Sequence, residues 1–260
     1  MDNFFFPGLA LAVGSWIYWY AALHKVRSFH SNSTLKRLLR LTPPLCMLIL
    51  LAVLLRWSSS DVRSDAGEIS FYMIFGAIWL RLGLLLVSLL GIAVREDVLE
   101  RKNRAAAWAV CGAMVGTMLC FAGANIGSGP GPEVVLLCAF LSTTAFFGLW
   151  FCLERSLGLA DRITIERDEG AAVRVGGWMI GLGLILGGAV AGNWESYEAT
   201  LRDFAHYGWA AVLFMLPAIP IERYLSSRPA RRDLQLNSSF GVAATYILAA
   251  GAYVLWLGVR

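Results

Sequence analysis

Arg81 is the residue whose type and position most directly suggest chemistry. It lies in the run Ile78-Trp79-Leu80-Arg81-Leu82, twelve residues from either end of an apolar stretch at 69–93. We predict that this stretch spans a membrane. Burying a guanidinium at that depth costs at least ~2.5–3.5 kcal/mol, and a charge inside a membrane is by default a candidate for function. The ligand that such a cation would bind is an anion.

A carboxylate at the same depth would be the usual partner for Arg81, and the sequence offers none. The nearest glutamates all lie at the ends of predicted spans: Glu68, Glu133, Glu154 and Glu222. The remaining partners are carbonyl groups, water, a lipid phosphate, a transported anion, or the hydroxyls of Ser142, Thr143 and Thr144. The alternative is a structural arginine that is hydrogen-bonded between helices or snorkels towards an interface. The sequence leaves both interpretations open.

Acidic residues near the predicted loops form a second candidate site. They are Glu96, Asp97, Glu100, Asp161, Glu166, Asp168 and Glu169. Such carboxylates could bind Mg²⁺ at a membrane surface, but they lack a regular Asp-x-x-Asp spacing. Lys or Arg separates them, which favours a solvated loop of mixed charge. Zinc, nucleophile-elbow and phosphate-loop motifs are also missing, and we expect neither a metal nor a cofactor.

The composition indicates what must position these residues. Hydrophobic residues make up 58% of the chain, charged residues 15%, and the mean hydropathy is +0.62. A soluble domain carries about a quarter charged residues. The apolar residues fall in blocks of roughly 20, the length of a membrane-spanning helix. We predict one all-α, polytopic membrane domain over 1–260, with spans at 4–23, 38–57, 69–93, 105–126, 133–153, 171–193, 206–221 and 241–259.

The distribution of Lys and Arg predicts the orientation of the spans. The loops 24–40, 94–104, 154–174 and 222–237 hold 17 of the 22 basic residues. By the positive-inside rule these loops are cytoplasmic and both termini lie outside the cytoplasm. The basic face suits anionic lipid headgroups. Nucleic acid is a poor partner, because the basic residues are interleaved with acids in short loops.

Two segments of the chain repeat each other. Residues 98–127 and 163–192 are identical at ten of thirty positions at an offset of 65. Each predicted cytoplasmic loop joins two spans, so the spans form four helical hairpins at 4–57, 69–126, 133–193 and 206–259. The second and third hairpins contain the clear repeat. Because the repeats have the same orientation, their pseudo-axis would lie along the membrane normal.

The start of each repeated return helix carries a motif. Asn103 and Asp168 stand where an N-cap residue would accept a free backbone N–H. Small residues along the first four turns of each helix allow close helix packing. They are Ala106, Gly112 and Gly116 in the first copy, and Ala171, Gly177 and Gly181 in the second. A functional alternative is that the two caps pair across the pseudo-axis and form a cytoplasmic vestibule or gate.

The same residues resemble a known family. Asn103-Arg104-Ala105-Ala106 followed by Gly112, and Glu169-Gly170-Ala171-Ala172 followed by Gly177, look like the uncharacterised bacterial inner-membrane family that includes YjfL. The resemblance covers about residues 76–193. It implies two hairpins, each with an Asn-x-Ala-Ala motif at the start of the return helix, although this chain has Asp168-Glu169 in the second copy. The resemblance implies a location in a bacterial inner membrane and an association with envelope stress, but no settled activity.

These observations lead to three functional hypotheses. The first is a channel or transporter for a small anion or acidic solute, with Arg81 selecting the charge and the second and third hairpins surrounding the path. The second is a membrane scaffold in envelope stress or integrity that docks a peripheral cytoplasmic protein through its basic loops. The third is a lipid-modifying enzyme that uses the acidic residues. The small-residue helices also suggest a homo-oligomer.

Overall fold

The computed structural model describes residues 2–25, 33–226 and 232–258. Residues 26–32 and 227–231, which belong to two of the predicted basic loops, lie outside the described residues, as do Met1 and residues 259–260. The described residues form helices joined by short connections: α1 Asp2–Lys25, α2 Ser33–Trp57, α3 Ser60–Ser64, α4 Ala66–Leu89, a π-helix Val94–Glu100, α5 Arg104–Gly123, α6 Pro132–Leu157, α7 Leu159–Thr164, α8 Glu169–Val190, α9 Tyr197–Met215, α10 Ala218–Ser226 and α11 Arg232–Leu257. The prediction of an all-α bundle is confirmed.

Eight helical segments in the described part of the chain are long and apolar enough to cross a membrane. They correspond to the eight predicted spans. The seventh, Tyr197–Ser226, is longer than the predicted 206–221 and contains α9 and α10. The break between these two helices falls at Leu216 and Pro217, because proline cannot donate the hydrogen bond that would continue a helix.

The second, or return, helices of the four hairpins form a row through the bundle in the order α2, α5, α8 and α11. α5 packs against α2 on one side and against α8 on the other, and α8 in turn packs against α11. The first helices of the hairpins lie against this row: α4 contacts α2 and α5, α6 contacts α5 and α8, and α9 contacts α8. α1 packs on α4 at the edge of the bundle. The two central helices α5 and α8 are therefore mostly buried.

Glycines bring the backbones of α5 and α8 into contact. A methyl group added at any of several glycines would overlap with backbone atoms of the facing helix: the facing pairs are Gly112 with Gly176, Gly116 with Gly183, and Gly123 with Gly187. Gly177 instead faces Ala243 of α11. Small residues allow this approach, and dispersion contacts between the backbones hold the helices together where lipid gives no hydrophobic drive.

Both return helices begin with a side-chain cap. The Asn103 Oδ1 accepts hydrogen bonds from the backbone N–H groups of Ala105 (3.0 Å) and Ala106 (3.3 Å). The Asp168 Oδ1 accepts one from Ala171 (2.9 Å). The Asn103 Nδ2 also donates to the Ile163 carbonyl of the next hairpin, at 2.7 Å. Ala106 and Ala171 are fully buried, so the two helix starts are closely packed, and a vestibule or gate formed by the caps stays a prediction.

We expect Asn103→Ala to lower the free energy of unfolding by about 2–4 kcal/mol. The loss combines about 1 kcal/mol for the cap with a penalty of roughly 1–3 kcal/mol for leaving buried groups of the neighbouring hairpin unpaired. Denaturant unfolding in detergent micelles measures it. The matched control is Asp65→Ala, which removes only the exposed 2.7 Å cap bond to the Gly67 N–H. Equal losses in the two variants would contradict a link between the hairpins through Asn103.

The two ends of the bundle differ in structure. The basic end carries the π-helix, α7 and the caps of α5 and α8. At the opposite end, the segments that follow the return helices hydrogen-bond to one another. The Gly127 N–H donates to the Trp57 carbonyl (2.9 Å), and the Gly192 N–H donates to the Ile126 carbonyl (3.1 Å). Successive hairpins are thus joined through their backbones at this end.

Candidate functional site

Arg81 lies closer to the basic end than the sequence predicts. α4 spans Ala66–Leu89, not 69–93, because the chain turns at Gly91, whose φ of +102° suits glycine. Arg81 is consequently 15 residues after the start of α4 and 8 residues before its last residue. At 1.5 Å per residue, it lies about 12 Å from the end of the helix. The predicted central position in the span is therefore corrected.

The Arg81 side chain is half-buried beside a cavity of about 410 Å³ between α1, α4 and the π-helix. It forms neither an ion pair nor a hydrogen bond with any other residue that the structure describes. The polar groups lining this cavity, which we name the Arg81 cavity, are Tyr18, Arg81, Ser88, Arg95 and Glu100. Its apolar walls are Trp19, Ala21, Ala22, Leu84, Leu85, Val94 and Leu99.

The structure does not bring Arg81 to the hydroxyls of α6. The Thr143 Oγ1 accepts a hydrogen bond from the Trp79 Nε1 at 3.0 Å, and the Ser142 Oγ donates to the Cys138 carbonyl at 2.9 Å. Thr144 is exposed on the outside of α6. Trp79 and Arg81 are two residues apart, which is roughly 200° around a helix. Because Trp79 points to α6, Arg81 points away from it, towards α1.

The charges of the Arg81 cavity do not cancel. The Arg95 Nε and the Glu100 Oε1 form an ion pair at 3.1 Å, with both side chains more than half exposed. This pair borders the cavity towards the basic end and contributes no net charge. Arg81 therefore remains as an uncompensated cation among the described residues. An anion is the ligand that such a site would stabilise most.

An apolar groove continues from the Arg81 cavity along α1 and α4. The groove has a volume of about 670 Å³ and shares Ala21 with the cavity. Its floor on α4 is Met73, Ile74 and Ala77, which lie one to two turns before Arg81 on the same side of the helix. The Trp16 Nε1 donates to the Ala77 carbonyl at 3.2 Å and fixes α1 beside α4.

A buried ion pair between Arg174 and Glu222 is the polar group that the sequence analysis missed. The Nε and Nη2 atoms of Arg174 donate to the two carboxylate oxygens of Glu222, both at 2.7 Å. The Nη1 of Arg174 donates to the Ser239 Oγ at 2.7 Å. Arg174 and Glu222 are 1% and 2% exposed. This bidentate geometry gives the pair nearly complete hydrogen bonding.

The sequence contains a signal for this pair. Arg174 was counted with the basic loop 154–174, whereas it lies inside α8 and inside the bundle. In the 65-residue repeat its counterpart is Ala109, so a charge replaces an apolar residue at a buried helix position. Ser239 is a further 65 residues along the chain. A charge at only one of the equivalent positions indicates a specialised contact between the third and fourth hairpins.

Several acidic residues near the basic end form ion pairs with arginines. Asp97 contacts Arg101 at 3.2 Å, and Asp168 contacts Arg162 at 2.7 Å. Glu169 lies 3.5 Å from Arg104. No group of three or more His, Cys, Asp or Glu side chains in the described ranges is arranged to hold a metal ion. These carboxylates thus neutralise basic residues, and the contact between Glu169 and Arg104 links the third hairpin to the second.

The eight apolar helices define the class of this protein: it is a multi-pass membrane protein. No protein-family model, curated protein or solved structure matches the chain. The resemblance to the family that includes YjfL therefore stays a prediction.

Proposed function

We propose that the protein transports a small anion or acidic solute across a bacterial inner membrane, with Arg81 binding the acidic group. The observation that carries this proposal is the uncompensated Arg81 cation beside a cavity inside a membrane-spanning bundle. A structural arginine at this depth would be expected to have partners within the protein. With the basic loops in the cytoplasm, Arg81 would lie in the cytoplasmic half of the membrane.

The position of the cavity favours a path beside α1 and α4. A path between the second and third hairpins is disfavoured, because the backbones of α5 and α8 touch at Gly112, Gly116 and Gly123. The interface between the first and second hairpins is less tightly packed and contains the Arg81 cavity. Movement of α1 against α4 would then open the path, since α1 packs mainly on α4.

We expect Arg81→Gln to reduce anion flux from proteoliposomes by about tenfold or more. Charge-assisted hydrogen bonds contribute roughly 1.5–3 kcal/mol, and every 1.4 kcal/mol corresponds to a tenfold change. Arg81→Lys retains the charge and should retain part of the flux. The matched control is Arg202→Gln, which removes an arginine that is 72% exposed.

Each result of this flux assay has a defined meaning. Flux that falls in Arg81→Gln but not in Arg202→Gln supports transport with Arg81 on the path. Flux that is the same in both variants removes Arg81 from the path. If folded wild-type protein gives no flux, transport is wrong, and a scaffold that docks a cytoplasmic protein through the basic loops becomes the leading hypothesis.

A further inference from the structure

We infer that the acidic ligand of Arg81 is an anionic membrane lipid, bound with its phosphate in the Arg81 cavity and an acyl chain in the groove between α1 and α4. This inference rests on the proposed function in that the ligand site is the same, and it specifies the class of ligand. Three features of the site support it: the depth of Arg81, the polarity of the walls, and the balance of charge.

Arg81 lies at a depth from which its side chain can extend towards the phosphate groups of membrane lipids. Arg81 lies about 12 Å from the last residue of α4 at 1.5 Å per residue. Long arginine side chains reach along a helix towards the membrane interface while their methylene groups stay in apolar surroundings. The guanidinium is thereby brought towards the headgroup region at the basic end, where Arg95 and Glu100 border the cavity.

The walls of the site suit an amphiphile better than a hydrated ion. Apart from its few polar groups, the cavity is lined by aliphatic side chains, among them Leu84, Leu85 and Leu99. The adjoining groove of about 670 Å³ is almost wholly apolar. A small anion could bind to Arg81 but would leave the apolar groove unfilled. A lipid would place its phosphate at Arg81 and bury its chain in the groove.

The balance of charge favours a ligand with one negative charge. The Arg95–Glu100 ion pair is neutral as a unit, so that Arg81 supplies a single positive charge. The Tyr18 hydroxyl lines the same cavity and can donate to a further phosphate oxygen, whereas the Ser88 hydroxyl already donates to the Leu84 carbonyl at 3.0 Å. A phosphodiester headgroup with a net charge of minus one would complete this arrangement.

Native mass spectrometry of the purified full-length protein in detergent tests the inference. The probes are phosphatidylglycerol, phosphatidylcholine and inorganic phosphate, and thermal unfolding with each probe provides a second readout. We expect wild type to retain phosphatidylglycerol and to be stabilised by it, with about tenfold weaker binding in Arg81→Gln, since a charge-assisted contact is lost. Arg202→Gln should bind as wild type does.

A second variant keeps Arg81 but pairs its positive charge with a carboxylate on the same helix. Leu85 lines the cavity and lies one helical turn after Arg81, so the carboxylate of Leu85→Glu would pair with Arg81 across positions i and i+4. Leu85 lies 4 residues before the last residue of α4, about 6 Å from the end of the helix at 1.5 Å per residue, so the new carboxylate would pair with Arg81 near the headgroup region and would not be left alone in lipid. We expect this variant to lose phosphatidylglycerol to a similar extent, while its unfolding temperature without lipid stays close to that of wild type.

The outcomes separate this inference from the proposed function. Retention of phosphatidylglycerol that is equal in wild type, Arg81→Gln and Leu85→Glu overturns the lipid site. Arg81-dependent stabilisation by inorganic phosphate alone also overturns it, although transport of a small anion then stands. Arg81-dependent lipid binding without any flux supports the lipid site and rejects transport.

Discussion

Replacing Glu222 with glutamine is expected to lower the free energy of unfolding by about 3–5 kcal/mol, because it leaves the Arg174 guanidinium buried without a counter-charge. Both Glu222 oxygens accept hydrogen bonds from Arg174 at 2.7 Å, and an amide can accept only one of them. The Arg162 Nη1, 3.9 Å from Glu222, would lose the same partner. Equilibrium unfolding in detergent micelles by denaturant measures the loss.

The matched control for this prediction is Glu154→Gln. Glu154-Arg155 and Glu222-Arg223 occupy corresponding places at the basic end, but Glu154 accepts a 2.7 Å hydrogen bond from the Ala160 N–H and lacks a buried arginine. We expect it to lose no more than about 1 kcal/mol, the net contribution of an ordinary hydrogen bond, because the amide oxygen of glutamine can still accept from the Ala160 N–H. If Glu222→Gln lost no more stability than Glu154→Gln, it would contradict the expectation that the substitution leaves Arg174 buried without a counter-charge.

Gly123→Val is expected to disrupt the packing of α5 against α8 and to cost about 3 kcal/mol or more, at or beyond the upper end of ordinary overpacking. Even the first carbon of the new side chain would overlap with backbone atoms of Gly187. A backbone cannot rotate out of the way as a side chain can, so the two helices must separate. The fraction of monodisperse protein after extraction and the unfolding temperature both report this change.

A glycine on the bundle surface provides the control. Gly148 lies on the exposed side of α6, and no heavy atom lies within 4 Å of a methyl group added there. Gly148→Val should fold as wild type does, since the substitution meets only lipid and replaces a residue of poor helix propensity. If Gly148→Val were as damaging as Gly123→Val, the cost would come from valine in a membrane helix and not from the α5–α8 contact.

The sequence predicts those features that depend on local composition. The spans follow from blocks of apolar residues, and the caps at Asn103 and Asp168 follow from their position before alanine-rich helix starts. The direction in which the Arg81 side chain points cannot be predicted from the sequence, because it depends on which neighbouring helix Trp79 contacts. Hydropathy reports how long a helix is, whereas the facing of each side chain is decided by tertiary packing.

The Arg174–Glu222 pair also depends on tertiary packing and not on local composition. Each residue lies close to a predicted loop, where a charge needs no special explanation. Their 48-residue separation gives no local signal that α10 folds back against α8. The end of α4 was predicted four residues too late for a related reason: hydropathy stays high from 90 to 93, and only the left-handed conformation of Gly91 ends the helix.

The row of return helices has a consequence for how the chain is synthesised. Each return helix packs on one that precedes it by about one hairpin, so a new hairpin emerging from the translocation machinery meets a partner that is already inserted. Assembly can then proceed in the order of translation, as in stacked repeat proteins. Arg174 is the exception, because its carboxylate and hydroxyl partners arrive only with α10 and α11. A nascent chain that stops before Ala218 would therefore hold an unneutralised charge in the bilayer, a state that membrane quality-control proteases are suited to remove.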